Sequence, residues 1–434
     1  MSLRLHALLL ILITVVVAVA GDWSGEPLLS GLWLLPAGLL LLGLAYESWV
    51  VSHSGLALDV EPPEHFLLGR AGRVGFVCAH GRRRPLMVQL APDAPDSFDI
   101  DGGIVSLSIP AGVRVGIERQ VTCGRLGTFE WPAIRTRIAG PLRLAWWPRL
   151  PVCRLQVQVQ PDLFHSSVEV EVKGVAAAGV GSGALLGAGA EVLRLREYRA
   201  GDPPRIIDWK ATARAGRMIS RDFAQDHRLE LVIAIDAGRS SALRAGSLDR
   251  FGHYVNIAAR LAQYAAGQDD LVGLILYADR PTAVLAPGRG APTVARLRAL
   301  LAKARVEHTE SNPLYAAVKI RALVRQRSLI ILLTDVDDTT VASQLAQAVR
   351  LLLPKHLPFI AGLSSAAAES LARSPASHWL DPFRSLAAQE YCIGLERKVR
   401  ALNALGAPAV VAKPDQLEHA VFAAYMNFRR AKRV

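Results

Sequence analysis

Leu229-Glu-Leu-Val-Ile-Ala-Ile-Asp236-Ala-Gly-Arg-Ser240 is the stretch on which the fold turns. From Leu231 to Ile235 it is unbroken apolar sequence, and it ends in a carboxylate followed by turn-forming residues. A run that does not alternate marks a strand covered on both faces, as in a parallel sheet flanked by helices. Ser328-Leu-Ile-Ile-Leu-Leu-Thr-Asp335 repeats the pattern, again ending in an acid. Open sheets of this kind place their sites outside the carboxyl ends of the strands, where both Asp236 and Asp335 fall.

Working outward, further strands are expected at 271–277, 357–363 and 408–412, with a short antiparallel edge strand at 282–285. Helical patterns fall at 250–266, 292–303, 313–325, 341–353, 385–405 and 416–430. Strands alternating with helices give a doubly wound α/β domain. Asp236, Ser240 and Asp335 are hard oxygen ligands of the kind that hold Mg²⁺ or Mn²⁺ with open positions. The plainer reading makes them helix caps, with Ser240 capping the next turn and Asp335 or Asp337 the next helix.

Strand-D-x-G-x-S followed by strand-T-D resembles the von Willebrand factor A fold and its metal-ion-dependent adhesion site. The resemblance implies Asp236, Ser240 and Asp335 as ligands, with Asn312 of Ser311-Asn-Pro-Leu-Tyr, or else Thr309, standing where the family has Thr. The chain departs from the family at Gly238, where a Ser is expected, so the metal match is partial.

Upstream lies Leu193-Arg-Leu-Arg196-Glu-Tyr198-Arg-Ala-Gly201-Asp202-Pro-Pro-Arg205-Ile-Ile-Asp208-Trp209-Lys-Ala-Thr-Ala-Arg214. Its spacing is similar to the core motif of the bacterial "domain of unknown function 58" family. That resemblance implies two membrane helices, a β domain, this motif and a degenerate von Willebrand A domain, in that order. It also implies a membrane-anchored partner of a MoxR-type AAA+ ATPase, and supplies no catalytic residue. Read physically, Arg196, Arg199, Arg205 and Arg214 alternate with Glu197, Asp202 and Asp208, so an ion-paired network with Trp209 packed beside it is the first expectation. The second is a docking surface, since Trp and Arg dominate interface hot spots.

Residues 55–161 read as a small antiparallel, immunoglobulin-like β domain. Its short alternating runs include 56–60, 73–77, 104–109 and 155–159, punctuated by Pro, Gly and Asp. Arg82-Arg83-Arg84 falls in an expected hairpin loop, either solvated or touching anionic lipid. Residues 162–190 are Gly/Ala-rich and read as a linker, without the lysine of a phosphate-binding loop. The C-terminal domain, including the motif, is assigned to 191–434.

Residues 1–50 hold two apolar runs, at 7–20 and 28–46, separated by a short loop with two acids and no base. They read as a transmembrane hairpin that places the bulk of the chain in the cytoplasm, anchored in the inner membrane and touching its lipids. The rival reading makes Ala18-Val19-Ala20 a signal-peptide cleavage site. The 434 residues are 51% hydrophobic and 20% charged with a net charge of +12, and mean hydropathy is +0.26. Disorder is excluded by the apolar content, and a disulfide scaffold by only four cysteines without a C-x-x-C. No H-E-x-x-H, Walker A or G-x-S-x-G motif occurs, and no basic-aromatic pattern supports a specific nucleic-acid partner. The reading is therefore a non-catalytic adaptor without a small-molecule substrate. Its ATPase would be met at the strand-end edge of Asp236, Ser240, Asn312 and Asp335, through a bridging cation or through an Arg or Lys. The alternative is a lipid- or nucleic-acid-binding membrane protein acting through its basic surface.

Overall fold

The computed structural model describes residues 2–24, 31–151, 155–163, 186–199, 202, 204–224, 228–375 and 377–431. The chain divides into two compact units, Met1–Gln160 and Pro161–Val434.

The first unit opens with helices Leu5–Ser24 and Leu34–Ser52, both long and apolar enough to cross a membrane. The second starts later than the apolar run at 28–46 and continues past Glu47. Pro36 is tolerated in its first turn, where backbone N–H groups have no intrahelical acceptor. The rest of the unit is β. A four-stranded antiparallel sheet runs in the order 57–61, 71–79, 115–123, 98–100. A five-stranded one runs 2–3, 145–149, 135–139, 86–91, 105–109. A third joins 66–67, 156–160 and 127–130. Phe66, Phe76, Phe98 and Trp131 form an aromatic cluster between strands. The loop carrying Arg82 to Arg84 is not a hairpin: Ala71–Ala79 and Leu86–Ala91 belong to different sheets, so it crosses between them.

The second unit is built on a six-stranded sheet: β1 (Glu230–Asp236), β2 (Leu271–Tyr277), β3 (Pro281–Gly288), β4 (Leu329–Leu333), β5 (Leu357–Leu363) and β6 (Ala409–Ala412). Their order across the sheet is β3-β2-β1-β4-β5-β6, parallel except for the antiparallel edge strand β3. Every residue from Leu231 to Asp236 is buried, as the unbroken apolar run requires. Helices α1 (Arg250–Gly267), α2 (Gly290–Lys303), α3 (Pro313–Leu323), α4 (Thr339–Leu352), α5 (Ala366–Arg373), α6 (Asp381–Ala404) and α7 (Pro414–Ala431) cover it. On one face Val232, Ala234, Ile330 and Leu332 meet Ala316 and Ile320 of α3, Leu345 and Val349 of α4, and Leu402 of α6. On α1, Tyr264 packs edge-on against Phe422 and Tyr425 of α7. Arg260 of α1 pairs with Asp162 (2.6 Å) and with Glu418 of α7 (2.7 Å), which ties the start of the unit to its last helix.

The strands and helices expected here are present within a few residues, with α5 in addition. Ahead of the sheet, Leu186–Glu197 pairs antiparallel with Ile219–Ala224. Residues 186–190 of the expected linker are therefore strand: pairing overrides the weak β propensity of Gly and Ala. Residues 164–185 of that linker, Cys153 and Gly201 lie outside the described residues.

Candidate functional site

Two charged regions of the second unit were expected to carry function. The first is the carboxyl edge of the sheet. Asp236 ends β1 and is fully buried. Its Oδ1 accepts from the Gly238 amide at 2.8 Å and from the Ser311 hydroxyl, and its Oδ2 accepts from the Thr334 hydroxyl at 2.7 Å. The Ser241 hydroxyl donates to the Asp236 carbonyl at 2.9 Å. Burial pushes the Asp236 carboxyl above its ordinary range, against the pull of those donors.

Gly238 has a steric cause. A Cβ built there would lie 2.2 Å from Ser311 Oγ and 3.2 Å from Asp236 Oδ1. The backbone at Gly238 is ordinary, with φ −73° and ψ 175°. The residue is small because Ser311, from the loop before α3, fills the space beside Asp236. Asp236 thus takes this hydroxyl from the loop before α3. Ser240 lies half-buried in the 3-10 turn Arg239–Ala242, which Gly238 rather than Ser240 opens. Asn312 is spent as the N-cap of α3, its side chain accepting from the Tyr315 amide at 3.0 Å.

Asp335 is 3% exposed and faces Arg250, the first residue of α1, itself 4% exposed. Arg250 also pairs with Asp337 at 2.8 Å. Asp337 further accepts from the Tyr391 hydroxyl, while its carbonyl accepts from Lys398, both on α6. The helix after β4 is capped by Asp338, through Thr340 N at 2.6 Å and Val341 N at 3.3 Å, and not by Asp335 or Asp337.

The four expected ligands are therefore near one sheet edge but do not present a common set of free oxygens. Among the described residues no group of three or more His, Cys, Asp or Glu could hold a metal. The Arg250 guanidinium stands against Asp335, and protein donors occupy both oxygens of Asp236. These residues do not fit Mg²⁺ or Mn²⁺. The positive charge at this edge comes from within the chain, and Arg250, separated from Asp335 by 85 positions, carries no local sequence signal of that role.

The second region is the motif segment. Arg196 grips Asp202 through both guanidinium nitrogens (2.7 and 2.9 Å), and the Arg199 amide adds a bond at 3.0 Å. The Arg196 guanidinium and that amide hold the Asp202 carboxyl down to about 2. Tyr198 donates its hydroxyl to the Asp202 carbonyl at 3.1 Å. Asp208 caps the helix Trp209–Ala215 through the Lys210 and Ala211 amides, both at 3.0 Å, and pairs with Arg221 at 2.9 Å. Gly216, at φ 67°, ends that helix in the left-handed conformation glycine tolerates best.

Arg196, Tyr198, Asp202 and Asp208 are thus scaffold. The others are not. Trp209 is 65% exposed, so the expectation of a packed anchor is corrected: the short helix it begins buries no residue. Arg199, Arg205 and Arg214 are exposed, and none has a carboxylate partner among the described residues. Leu195 and Met218 are also exposed.

Residues 194–359 match the family model described as "Protein of unknown function DUF58". No curated protein matches the sequence. Among solved structures, the chain is similar to a conserved hypothetical protein, BatB, from Bacteroides thetaiotaomicron. The identity is 17% and the TM-score 0.24, over 31% of this chain and 66% of that one. A CARDB domain from Pyrococcus furiosus gives 10% identity and a TM-score of 0.18 over 25% of this chain and 89% of that one. A protein of unknown function from Porphyromonas gingivalis gives 12% and 0.20 over 25% and 49%.

Proposed function

We propose that the protein is a non-catalytic adaptor, anchored in a bacterial inner membrane by its two apolar helices, with its bulk in the cytoplasm. Its second unit is of von Willebrand A type and holds a partner protein, a MoxR-type AAA+ ATPase by resemblance, in the assembly or maturation of a complex or in the response to envelope stress. The sheet order β3-β2-β1-β4-β5-β6 with an antiparallel β3 supports the fold assignment. Docking is assigned to the motif segment and not to the strand-end acids, since Asp236 and Asp335 are buried and already bonded.

The observation that carries the reading is Trp209, 65% exposed on a segment whose Arg199, Arg205 and Arg214 lack carboxylate partners among the described residues. Leaving a Trp in water forgoes the burial that most stabilises a large side chain. A tryptophan beside arginines, fixed by a scaffold of ion pairs and a capped helix, has the composition of a binding hot spot. The arginines call for an acidic partner surface.

Full-length protein in nanodiscs is the material for the test. Trp209→Ala should weaken capture of the ATPase by about 2 kcal/mol or more, the usual loss at a hot spot, while the unfolding stability stays within about 0.5 kcal/mol of wild type, as for an exposed side chain. Undiminished binding by a folded Trp209→Ala/Arg205→Gln/Arg214→Gln variant refutes the segment as the contact.

A further inference from the structure

We propose that the segment 140–147 of the first unit, the turn 140–144 and the start of the strand that follows it, is a bilayer-interface element. Its 141–144 tip enters the edge of the hydrocarbon beside the second apolar helix, and the arginines around it bind anionic phospholipid headgroups. The inference rests on reading Leu5–Ser24 and Leu34–Ser52 as membrane-spanning.

The loop is fastened to the second helix by a buried carboxylate. Glu47, fully buried, accepts from the amides of Leu144 (3.0 Å) and Ala145 (3.1 Å) and from the Trp147 indole (3.3 Å). A Cβ at Gly140 would come within 2.1 Å of the Glu47 carboxyl carbon, so only glycine lets the loop close over it. One turn earlier on the helix, a Cβ at Gly43 would lie 2.7 Å from Leu144 Cδ1 and 3.5 Å from Leu142 Cδ1. Gly43 precedes Tyr46, the last residue of the uncharged run, by three positions, about 4–5 Å along the axis. Leu142 and Leu144 therefore stand level with the apolar part of the helix. Leu144 is buried there, whereas Leu142 is 49% exposed. At that depth the exposed leucine faces acyl chains, and Trp146 and Trp147 sit where aromatic side chains gather in membrane proteins.

Cations surround this contact. Ser2–Leu3 adds a strand beside Trp146 and Ala145, and the Arg4 amide donates to the Leu144 carbonyl at 2.8 Å. The Arg4 guanidinium lies 4.8 Å from the centre of the Trp146 ring, and its Nη1 is buried without a hydrogen-bond partner among the described residues, so the headgroup contacts fall to the exposed arginines. Arg82 donates to the Val50 carbonyl at 3.1 Å, which fixes its loop to the end of the same helix. Arg83, Arg84 and Arg143 are exposed. Glu47, the acid in this contact, is turned inward to its donors. Exposed arginines beside an apolar tip match a surface of phosphate-bearing headgroups over hydrocarbon.

The test uses full-length protein in nanodiscs of mixed phosphatidylcholine and phosphatidylglycerol. A single nitroxide is placed at Leu142→Cys in a Cys153→Ser/Cys392→Ser background. Leu39→Cys on the second helix and Ile104→Cys in the β unit, both exposed, are the references. Expected at 142 is the pattern of 39: relaxation by oxygen exceeds relaxation by an aqueous nickel chelate, with the reverse at 104. Omitting phosphatidylglycerol should lower the wild-type melting temperature, and Arg83→Gln/Arg84→Gln/Arg143→Gln should lose that sensitivity. A label at 142 as open to the chelate as that at 104 overturns the proposal. So does shielding from both reagents with spin–spin broadening, which marks contact between copies. Access of the chelate to 39 would overturn the membrane-spanning reading itself, together with this inference.

Discussion

The carboxyl edge of the six-stranded sheet and the motif segment 196–221 are both dense in charge, and they treat it in opposite ways. At the edge, Asp236, Asp335 and Arg250 are almost wholly removed from solvent, Arg250 paired with Asp335 and Asp236 bonded to the Thr334 hydroxyl. In the segment, Arg196, Asp202, Asp208 and Arg221 pair near the surface and hold up a set of exposed groups, Arg199, Arg205, Trp209 and Arg214, that the fold does not use. Burial is costly for a charge unless each partner is in place, so the edge behaves as a lock. Exposed charges cost little to leave unpaired, so the segment can keep the tryptophan and arginines on which the proposed docking rests.

The largest effect should come from breaking the lock. Arg250→Ala leaves Asp335 buried beside Asp337 with no cation between them, and removal of one member of a buried pair typically costs about 3–5 kcal/mol. Thermal melting in matched detergent should show it as a large drop. Arg250→Lys should recover part, because an ammonium cannot reproduce the two-branched contact with both acids. Excess Mg²⁺ or Mn²⁺ should leave the wild-type melting temperature unchanged; a rise on adding either ion would show that Arg250 does not fill the cation position.

A smaller loss is expected from Gly238→Ser, since the new side chain meets Ser311 Oγ. Overpacking of this kind costs about 1–3 kcal/mol. The informative variant is the double change Gly238→Ser/Ser311→Gly, which returns the hydroxyl to the first loop. If the two hydroxyls share one space beside Asp236, the double variant should be more stable than the sum of the single losses allows, by about 0.5 kcal/mol or more. Strict additivity would mean that Gly238 is small for another reason.

The strands were legible because unbroken runs such as 231–235 have few other folded uses, and the two strand-end acids followed from them. What the pattern could not carry was the third dimension of the site. Arg250 opens a helix 85 positions before Asp335, and Ser311 follows Asp236 by 75; nothing near either residue in the chain reveals the pairing. Glu47 was hidden for a related reason. It reads as the first charge after an apolar run, yet its partners lie about a hundred positions on, at Leu144 to Trp147. In the motif the alternation of charges did show an ion-paired network. It could not separate Arg196, which pairs, from Arg205 and Arg214, which have no carboxylate partner among the described residues. Trp209 lies more open to solvent than tryptophan usually does.

The smallest effect expected is one of pH, and it separates the two regions by sign. The Arg196 guanidinium holds the Asp202 carboxyl at about 2, below its ordinary 3.8. A carboxyl lowered by folding contributes stability that is present above its unfolded value and lost as pH falls through the folded one. The contacts that Asp202 makes with Arg196 and Arg199 should therefore loosen between about pH 4 and pH 2. Asp236 moves the other way. Burial raises it, so its contribution is present below the unfolded value and is lost as pH rises through the folded one. Acid should weaken the segment while sparing β1. Amide hydrogen exchange read segment by segment on the full-length protein can resolve this. Near pH 2, protection should fall around Arg199, whose amide donates to Asp202, while residues 231–235 keep theirs. Asp202→Asn should show the loosened pattern already at neutral pH and little further change on acidification. Equal loss of protection in both regions, or none around Arg199, would mean that the Arg196–Asp202 pair does not hold the segment in place.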